Sequence, residues 1–247
     1  MSTDIKGIQY VPGTYAKRTP DATHMVDHYV KNWGKKWIEL NKEEFDRNIH
    51  PCICFSRKIG VGALEVADIL GERTGFPVAD REVIEHMAQD KNLTHKTVSF
   101  FDERYPGKIN ELAAFLFGEK SFVMDDYMKQ LFVTAVSISA IEPTIFVGRG
   151  IHLILPRNRI LAVRLICSKK YRIRRLSSIL NVKEKDMETQ LDKIDGEQAA
   201  FFKKVFKKKS ASPYEFDICI NCDHLSGYNK IADIVQEAFI KKFDKDL

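Results

Sequence analysis

Cys52-Ile53-Cys54-Phe55-Ser56-Arg57-Lys58-Ile59-Gly60-Val61-Gly62-Ala63 reads as a strand, a glycine loop and the first residue of a helix. Cys52 to Phe55 is a short unbroken apolar run, the pattern of a strand buried on both faces. The loop, residues 56–62, holds two glycines. Ala63, Val66, Ala67 and Leu70 then recur at helical spacing up to Gly75, a natural stop. This order opens an α/β domain.

The alternation continues toward the C-terminus. Phe76 to Ala79 is a short strand candidate ending at Asp80, which can cap a helix over Arg81–Gln89. Thr94 can cap another through Phe101. Further helical stretches are expected at Ile109–Phe117 and Asp125–Ala140, the latter stopped by Pro143. Thr144 to Val147 is again an apolar strand and runs into Gly148-Arg149-Gly150. Ile160–Cys167 is the next strand, Lys169–Leu180 and Lys183–Lys204 are two helices joined at Asn181, Phe216–Ile220 is the last strand, and Tyr228–Phe243 a closing helix. Strands separated by helices imply a parallel sheet with right-handed crossovers, which takes ligands at the carboxyl ends of its strands. The residues to inspect are therefore 56–62, Asp80 and Arg81, 148–150 and 168–175.

Residues 1–48 read differently. They are polar, hold both tryptophans, Trp33 and Trp37, and offer one helical stretch near Val26–Leu40. They are expected to be an extension that docks on the main domain, residues 49–247, on a partner protein or on a second copy.

Composition narrows the function classes. A hydrophobic fraction of 44% suits a globular chain. No apolar run approaches the roughly eighteen residues of a membrane span, and Met1 to Tyr15 lacks a signal-peptide core, so a cytoplasmic protein without a membrane partner is expected. Net charge is +5. The one tight basic cluster, Lys203, Lys204, Lys207, Lys208 and Lys209, reads as a solvated face rather than a nucleic-acid stripe. Five cysteines, an odd number, argue for reduced thiols. Cys219 and Cys222 form a CxxC with no second pair or histidine cluster to complete a zinc site, so no metal centre is expected.

The first loop carries the chemistry. Between a buried strand and a helix, backbone N–H groups and the helix N-terminus together hold phosphate. Gly60 and Gly62 allow positive φ and the close approach of an anion, while Arg57 and Lys58 add charge. The pattern differs from GxxxxGK[ST]. With Gly62 as the second glycine, Arg57 stands at the first, Ala63 at the lysine and Leu64 at the hydroxyl that holds magnesium. A plain strand–helix turn is the alternative.

The loop Ser56-Arg57-x-x-Gly60-x-Gly62 resembles that of the cytidylate-kinase-like family, divergent relatives of bacterial cytidylate kinase. The resemblance continues through Gly75-Phe76-Pro77-x-x-Asp80-Arg81-Glu82-Val83-Ile84, Phe101-Asp102-Glu103, Val147-Gly148-Arg149-Gly150, Tyr171-Arg172-Ile173-x-Arg175, Asp195-x-x-x-Ala199-Ala200-Phe201-Phe202, and residues 216–221. It implies a P-loop NTPase-like three-layer α/β fold: a central parallel sheet flanked by helices, plus a helical lid. It also implies phosphoryl transfer from ATP, with Mg²⁺, to a nucleoside monophosphate, CMP or dCMP being candidates. Ser56, Arg57, Lys58, Gly60, Val61, Gly62 and Ala63 would hold the ATP phosphates. Asp80, Arg81 and Arg149 would bind the acceptor. Arg149, Arg172 and Arg175 would act in catalysis. Asp80 reads equally as a helix cap, and Arg172 and Arg175 as a solvated basic face. Two departures stand out: Gln198 where relatives tend to carry a lid arginine, and Gly150 where bacterial cytidylate kinase has aspartate. The divergent relatives share that glycine. The unusual loop, Gln198 and the tryptophan-bearing extension favour the alternative of a degenerate kinase-like module that binds nucleotide without transferring phosphate, whereas Arg149, Asp80 and the lid arginines favour the active kinase.

Overall fold

The computed structural model describes residues 3–5, 8–10, 49–84 and 126–243. The helices expected at Val26–Leu40, from Thr94 and at Ile109–Phe117, the end of the helix expected at Arg81–Gln89 and the motif Phe101-Asp102-Glu103 lie outside the described residues. Within the N-terminal extension, β1 (Thr3–Ile5) pairs antiparallel with β2 (Ile8–Tyr10). Strands of three residues are too short for a periodic pattern to announce.

The main sheet has five strands, all parallel: β3 (Cys52–Arg57), β4 (Val78–Ala79), β5 (Ile145–Val147), β6 (Ile160–Ile166) and β7 (Ile218–Asn221). Their spatial order is β4-β5-β3-β6-β7. β3 is central and wholly buried, which is why its sequence is continuously apolar rather than alternating. It is longer than its apolar run. Ser56 and Arg57 stay in the ladder opposite Arg164 and Leu165, so the loop proper starts at Lys58.

Helices cover both faces. On one, α1 (Ala63–Thr74) and α5 (Tyr228–Phe243) bury Val66, Leu70, Val235 and Phe239 against Phe55, Val163 and Leu165. On the other, α2 (Asp126–Ile141) packs Leu131, Phe132 and Val136 near Cys54, Phe146 and Ala162. This is a three-layer α/β architecture, a central parallel sheet between two layers of helices. The helical hairpin α3 (Lys169–Leu180) and α4 (Glu184–Phe206) turns at Asn181, whose left-handed φ of 51° ends α3. The hairpin has its own small core of Leu176, Met187, Leu191 and Ile194, into which Ile59 of the glycine loop inserts.

Cys52, Cys54 and Cys222 are buried, and Cys219 is exposed. It faces away from the apolar layer that takes Ile218 and Ile220. Burial pushes the Cys52 thiol up to about 12, so it behaves as a packing residue.

His152 is also buried, its ring centroid 5.0 Å from that of Phe216 and its Nε2 3.6 Å from a carboxylate oxygen of Glu215. Desolvation outweighs the attraction of Glu215 and lowers its pKa to about 4. The folded protein therefore binds this proton less well than the unfolded chain, whose histidine titrates near 6.5. Its contribution makes stability rise with pH between those values. His152→Phe is expected to flatten that part of the profile by about 2–3 kcal/mol, measured by urea unfolding at a series of pH values.

Candidate functional site

The glycine loop leaves β3 at Lys58 and enters α1 at Ala63. Gly60 has φ 89° and Gly62 φ 93°, conformations that L side chains rarely adopt. Neither has room for a methyl group. A Cβ on Gly60 would lie 2.9 Å from Leu176 Cδ1, and one on Gly62 would lie 2.5 Å from the Tyr228 ring. The N-terminus of α1 has no side-chain cap, so its first N–H groups are left for a ligand. Val61, Ala63 and Leu64 are buried, and their backbone is what they offer the loop. Lys58 is half-exposed, and its Nζ lies 3.2 Å from Asp195. Ser56 is buried, with its Oγ accepting a hydrogen bond from Arg164 at 2.6 Å.

The lid hairpin grips this loop through its carbonyls. Arg172 donates to Asp195 bidentately, at 2.9 and 2.8 Å, and reaches the Ile59 carbonyl at 3.4 Å. Arg175 pairs with Glu65, donates to the Tyr228 hydroxyl at 2.7 Å and reaches the Gly60 carbonyl at 3.4 Å. Gln198 donates to the Arg57 carbonyl at 2.9 Å. Arg172 is 3% exposed, so the solvated basic face does not describe it. In this arrangement a phosphate reaches Arg172 only if its pair with Asp195 opens.

The sequence places Asp195 at the head of a family motif but gives it no site role, since it is one acidic residue among many on a charged helix. Burial works against its charge, but hydrogen bonds from Arg172 and Lys58 outweigh it and hold the carboxyl below its ordinary range. Its contribution to stability is present above the unfolded aspartate pKa and is lost as pH falls through the lowered value. Asp195→Asn leaves the buried Arg172 without its counter-charge. About 3 kcal/mol of stability is expected to go, seen as a lower urea midpoint with an unchanged m-value.

A second group gathers at the neighbouring strand ends. Gly148, Arg149 and Gly150 all have left-handed φ, 94°, 52° and 73°. The Arg149 guanidinium lies 4.4 Å from the Phe201 ring centroid. Burial first, then the charges of Arg81 and Arg57, lower its pKa to about 9. The Arg57 guanidinium reaches Gly148, 3.9 Å from where a Cβ would sit. Three arginines from the ends of β3, β4 and β5 thus share one field, which a bound dianion would relieve.

Asp80 opens the helical turn after β4. Its Oδ1 accepts from the N–H groups of Glu82 at 2.8 Å and Val83 at 3.0 Å, so it is a helix N-cap. Asp80→Ala is expected to cost about 1 kcal/mol in thermal unfolding, whereas Asp80→Asn keeps the cap. A loss of turnover confined to the asparagine variant's chemistry would report a second role for the charge.

Beside Tyr228, on the far side of Arg175, a cavity of about 620 Å³ is lined by Ser168, Lys170, Tyr171, Arg174, Arg175 and Tyr228. Asp223 braces it, accepting from the backbone and hydroxyl of Ser168 at 2.6 and 2.9 Å. Among the described residues no group of three or more His, Cys, Asp or Glu could hold a metal, and no helix is long and apolar enough to cross a membrane.

A family model described as "Cytidylate kinase-like family" matches residues 52–224, well over half of the chain. The chain belongs to the cytidylate kinase-like family. Among solved structures, an uncharacterized protein from Eubacterium ventriosum is similar over 78% of this chain and 99% of its own, with 19% identity and a TM-score of 0.59. That likeness is one of fold. A shikimate kinase from Bacteroides thetaiotaomicron matches at 15% identity over 76% of this chain and 95% of its own, TM-score 0.38. A dephospho-CoA kinase from Campylobacter jejuni matches at 15% over 78% and 98%, TM-score 0.33. No curated protein matches. As a cytidylate kinase-like protein, the chain has a kinase-type nucleotide-binding fold, and the glycine loop and the Gly-Arg-Gly turn both fall within the matched residues.

Proposed function

We propose that the protein transfers a phosphoryl group from Mg·ATP to a nucleoside monophosphate, with CMP and dCMP the first acceptors to test. The observation that carries this reading is the convergence of Arg57, Arg81 and Arg149 on the strand ends beside a glycine loop with no room for a Cβ at Gly60 or Gly62. Phosphoryl transfer asks a protein mainly to align two anions and to cancel the charge between them. The arginine cluster receives the acceptor phosphate, and the backbone of residues 58–63 cradles the donor phosphates with Lys58 as the local cation. The cavity beside Tyr228 holds the ATP nucleoside. Arg172 and Arg175 fix the loop's shape through its carbonyls and become phosphate ligands when their acidic partners let go. Leu64, buried at the position of the usual magnesium-ligating hydroxyl, offers no ligand, so Mg²⁺ would be held by the ATP phosphates as part of the substrate. In this reading residues 49–247 are the kinase domain and residues 1–48 an appendage for docking on it, a partner or a second copy.

The burial of Ala63 and Leu64 specifically favours a second reading, a nucleotide-binding module that does not turn over. The two separate in one assay. ADP release from Mg·ATP is measured with each common nucleoside monophosphate in turn, alongside a titration of nucleotide binding. Acceptor-dependent release establishes the kinase and names its substrate. Binding without release under every acceptor sinks the transfer reading and leaves the module.

A further inference from the structure

A cavity of about 510 Å³ lies on the opposite side of β3 from the arginine cluster, between the sheet and α4. Its floor is a row of residues in one register: Ser56 of β3 opposite Arg164 of β6 opposite Cys219 of β7. Arg164 is out of place there. Strand alternation puts it on the same face as Ile160 and Ala162, which are fully buried in the apolar core. It is half-buried in a strand flanked on both sides, and burial lowers its pKa. Yet among the described residues no carboxylate lies within ion-pair reach of it. Its one hydrogen bond goes to the Ser56 hydroxyl, though a guanidinium has five N–H donors. Taking a cation out of water costs free energy unless an anion or further acceptors meet it.

Glu215 attracts Arg164 through space but makes no ion pair with it. The two carboxylates lining the cavity are already engaged, Asp195 with Arg172 and Lys58, and Glu215 with Lys208 and the Ser212 N–H. Lys209 at the same cavity adds another positive charge. The rest of the wall mixes Lys58, His152, Gln198, Lys208, Ser210 and Ser212 with an apolar patch. Ile166, 39% exposed on a strand floor, faces this space together with Phe202, Pro213 and Phe216. The volume is that of a small-molecule pocket.

We propose that this cavity is a second binding site, for a small molecule carrying one carboxylate or phosphate on an apolar body, the anion on Arg164 and the body against Ile166 and Phe216. The site is separate from the nucleotide site but shares its wall: Ser56 and Lys58 belong to β3 and the glycine loop, and Gln198 donates to the carbonyl of Arg57. A ligand here touches the back of the phosphate loop and fits a regulator of it.

The test uses the full chain and the anionic dye anilinonaphthalene sulfonate as probe, with octanoate, octanol and inorganic phosphate as competitors. Expected is saturable binding of one dye per chain, displaced by octanoate at least about tenfold better than by octanol or phosphate, since a charge-assisted contact is worth roughly that factor. Arg164→Gln should weaken dye binding about tenfold or more. Ala199→Phe, a change at an exposed helix position lining the cavity, should block it by volume with the thermal midpoint unchanged. No saturable binding, binding unaffected by both variants, or displacement by phosphate as effective as by octanoate would each overturn the proposal. None of these outcomes depends on whether the chain transfers phosphate, because ADP release is not read.

Discussion

Arg149→Ala is expected to lower acceptor-dependent ADP release by about 10²–10³-fold, as the removal of a preorganised charge donor does elsewhere. The argument rests on where the side chain is held. Residues 148–150 turn through three consecutive left-handed conformations, which pack Gly150 against Phe206, where a Cβ would meet the ring at 2.5 Å. Arg149 itself lies against the Phe201 ring, in a field already crowded by Arg57 and Arg81. Such crowding costs free energy without a ligand and is relieved most by the most highly charged species, the dianion in the act of accepting a phosphoryl group. The loss should therefore fall on kcat more than on KM. Arg149→Lys restores charge but not the planar fork and should recover only part of the rate. The fold should be indifferent to both changes, so the thermal midpoint serves as the control. Turnover within threefold of wild type in the alanine variant would remove Arg149 from the chemistry.

The layers and the sheet could be read from sequence because their signal is local. An apolar strand, a glycine loop and a helix with 3.6-residue spacing sit within about twenty-five residues around Gly60 and Gly62, and β5, β6 and α5 announce themselves in the same way. What the sequence concealed is long-range. Ser56 and Arg57 look like loop residues after an apolar run, but the ladder to Arg164 and Leu165, more than a hundred positions away, keeps them in β3. Arg172 reads equally as a catalytic arginine and as part of a solvated basic face, and only the return of α4 brings Asp195 to it. Gln198 reads as a missing arginine, whereas in the fold its amide has a task that needs no charge, holding the Arg57 carbonyl. Arg164 sits inside a strand segment with nothing local to mark it, because which face of a strand meets open space depends on the elements packed over the sheet.

Gly62→Ala is expected to damage nucleotide binding severely. Two costs arise together. At φ 93° an L residue is strained, by about 1–3 kcal/mol for such backbone positions. The new Cβ would also stand 2.5 Å from the Tyr228 ring, inside any real contact distance. Tyr228 cannot yield without consequence, since its hydroxyl accepts from Arg175 Nε and its ring lies against that guanidinium, 5.8 Å from it. Arg175 in turn holds the Gly60 carbonyl and Glu65, so displacing the ring loosens the loop from the lid on one side and from α1 on the other. A drop in Mg·ATP affinity of about a hundredfold, together with a lower thermal midpoint, is the expected result. Calorimetric titration and thermal unfolding measure them. Because the steric part of the cost runs through one ring, it should be non-additive. In a Tyr228→Ala background the same Gly62→Ala change should cost less, leaving mainly the backbone strain. If the two substitutions instead add, the ring is not what confines Gly62. The tightness of the loop would then come from its backbone alone.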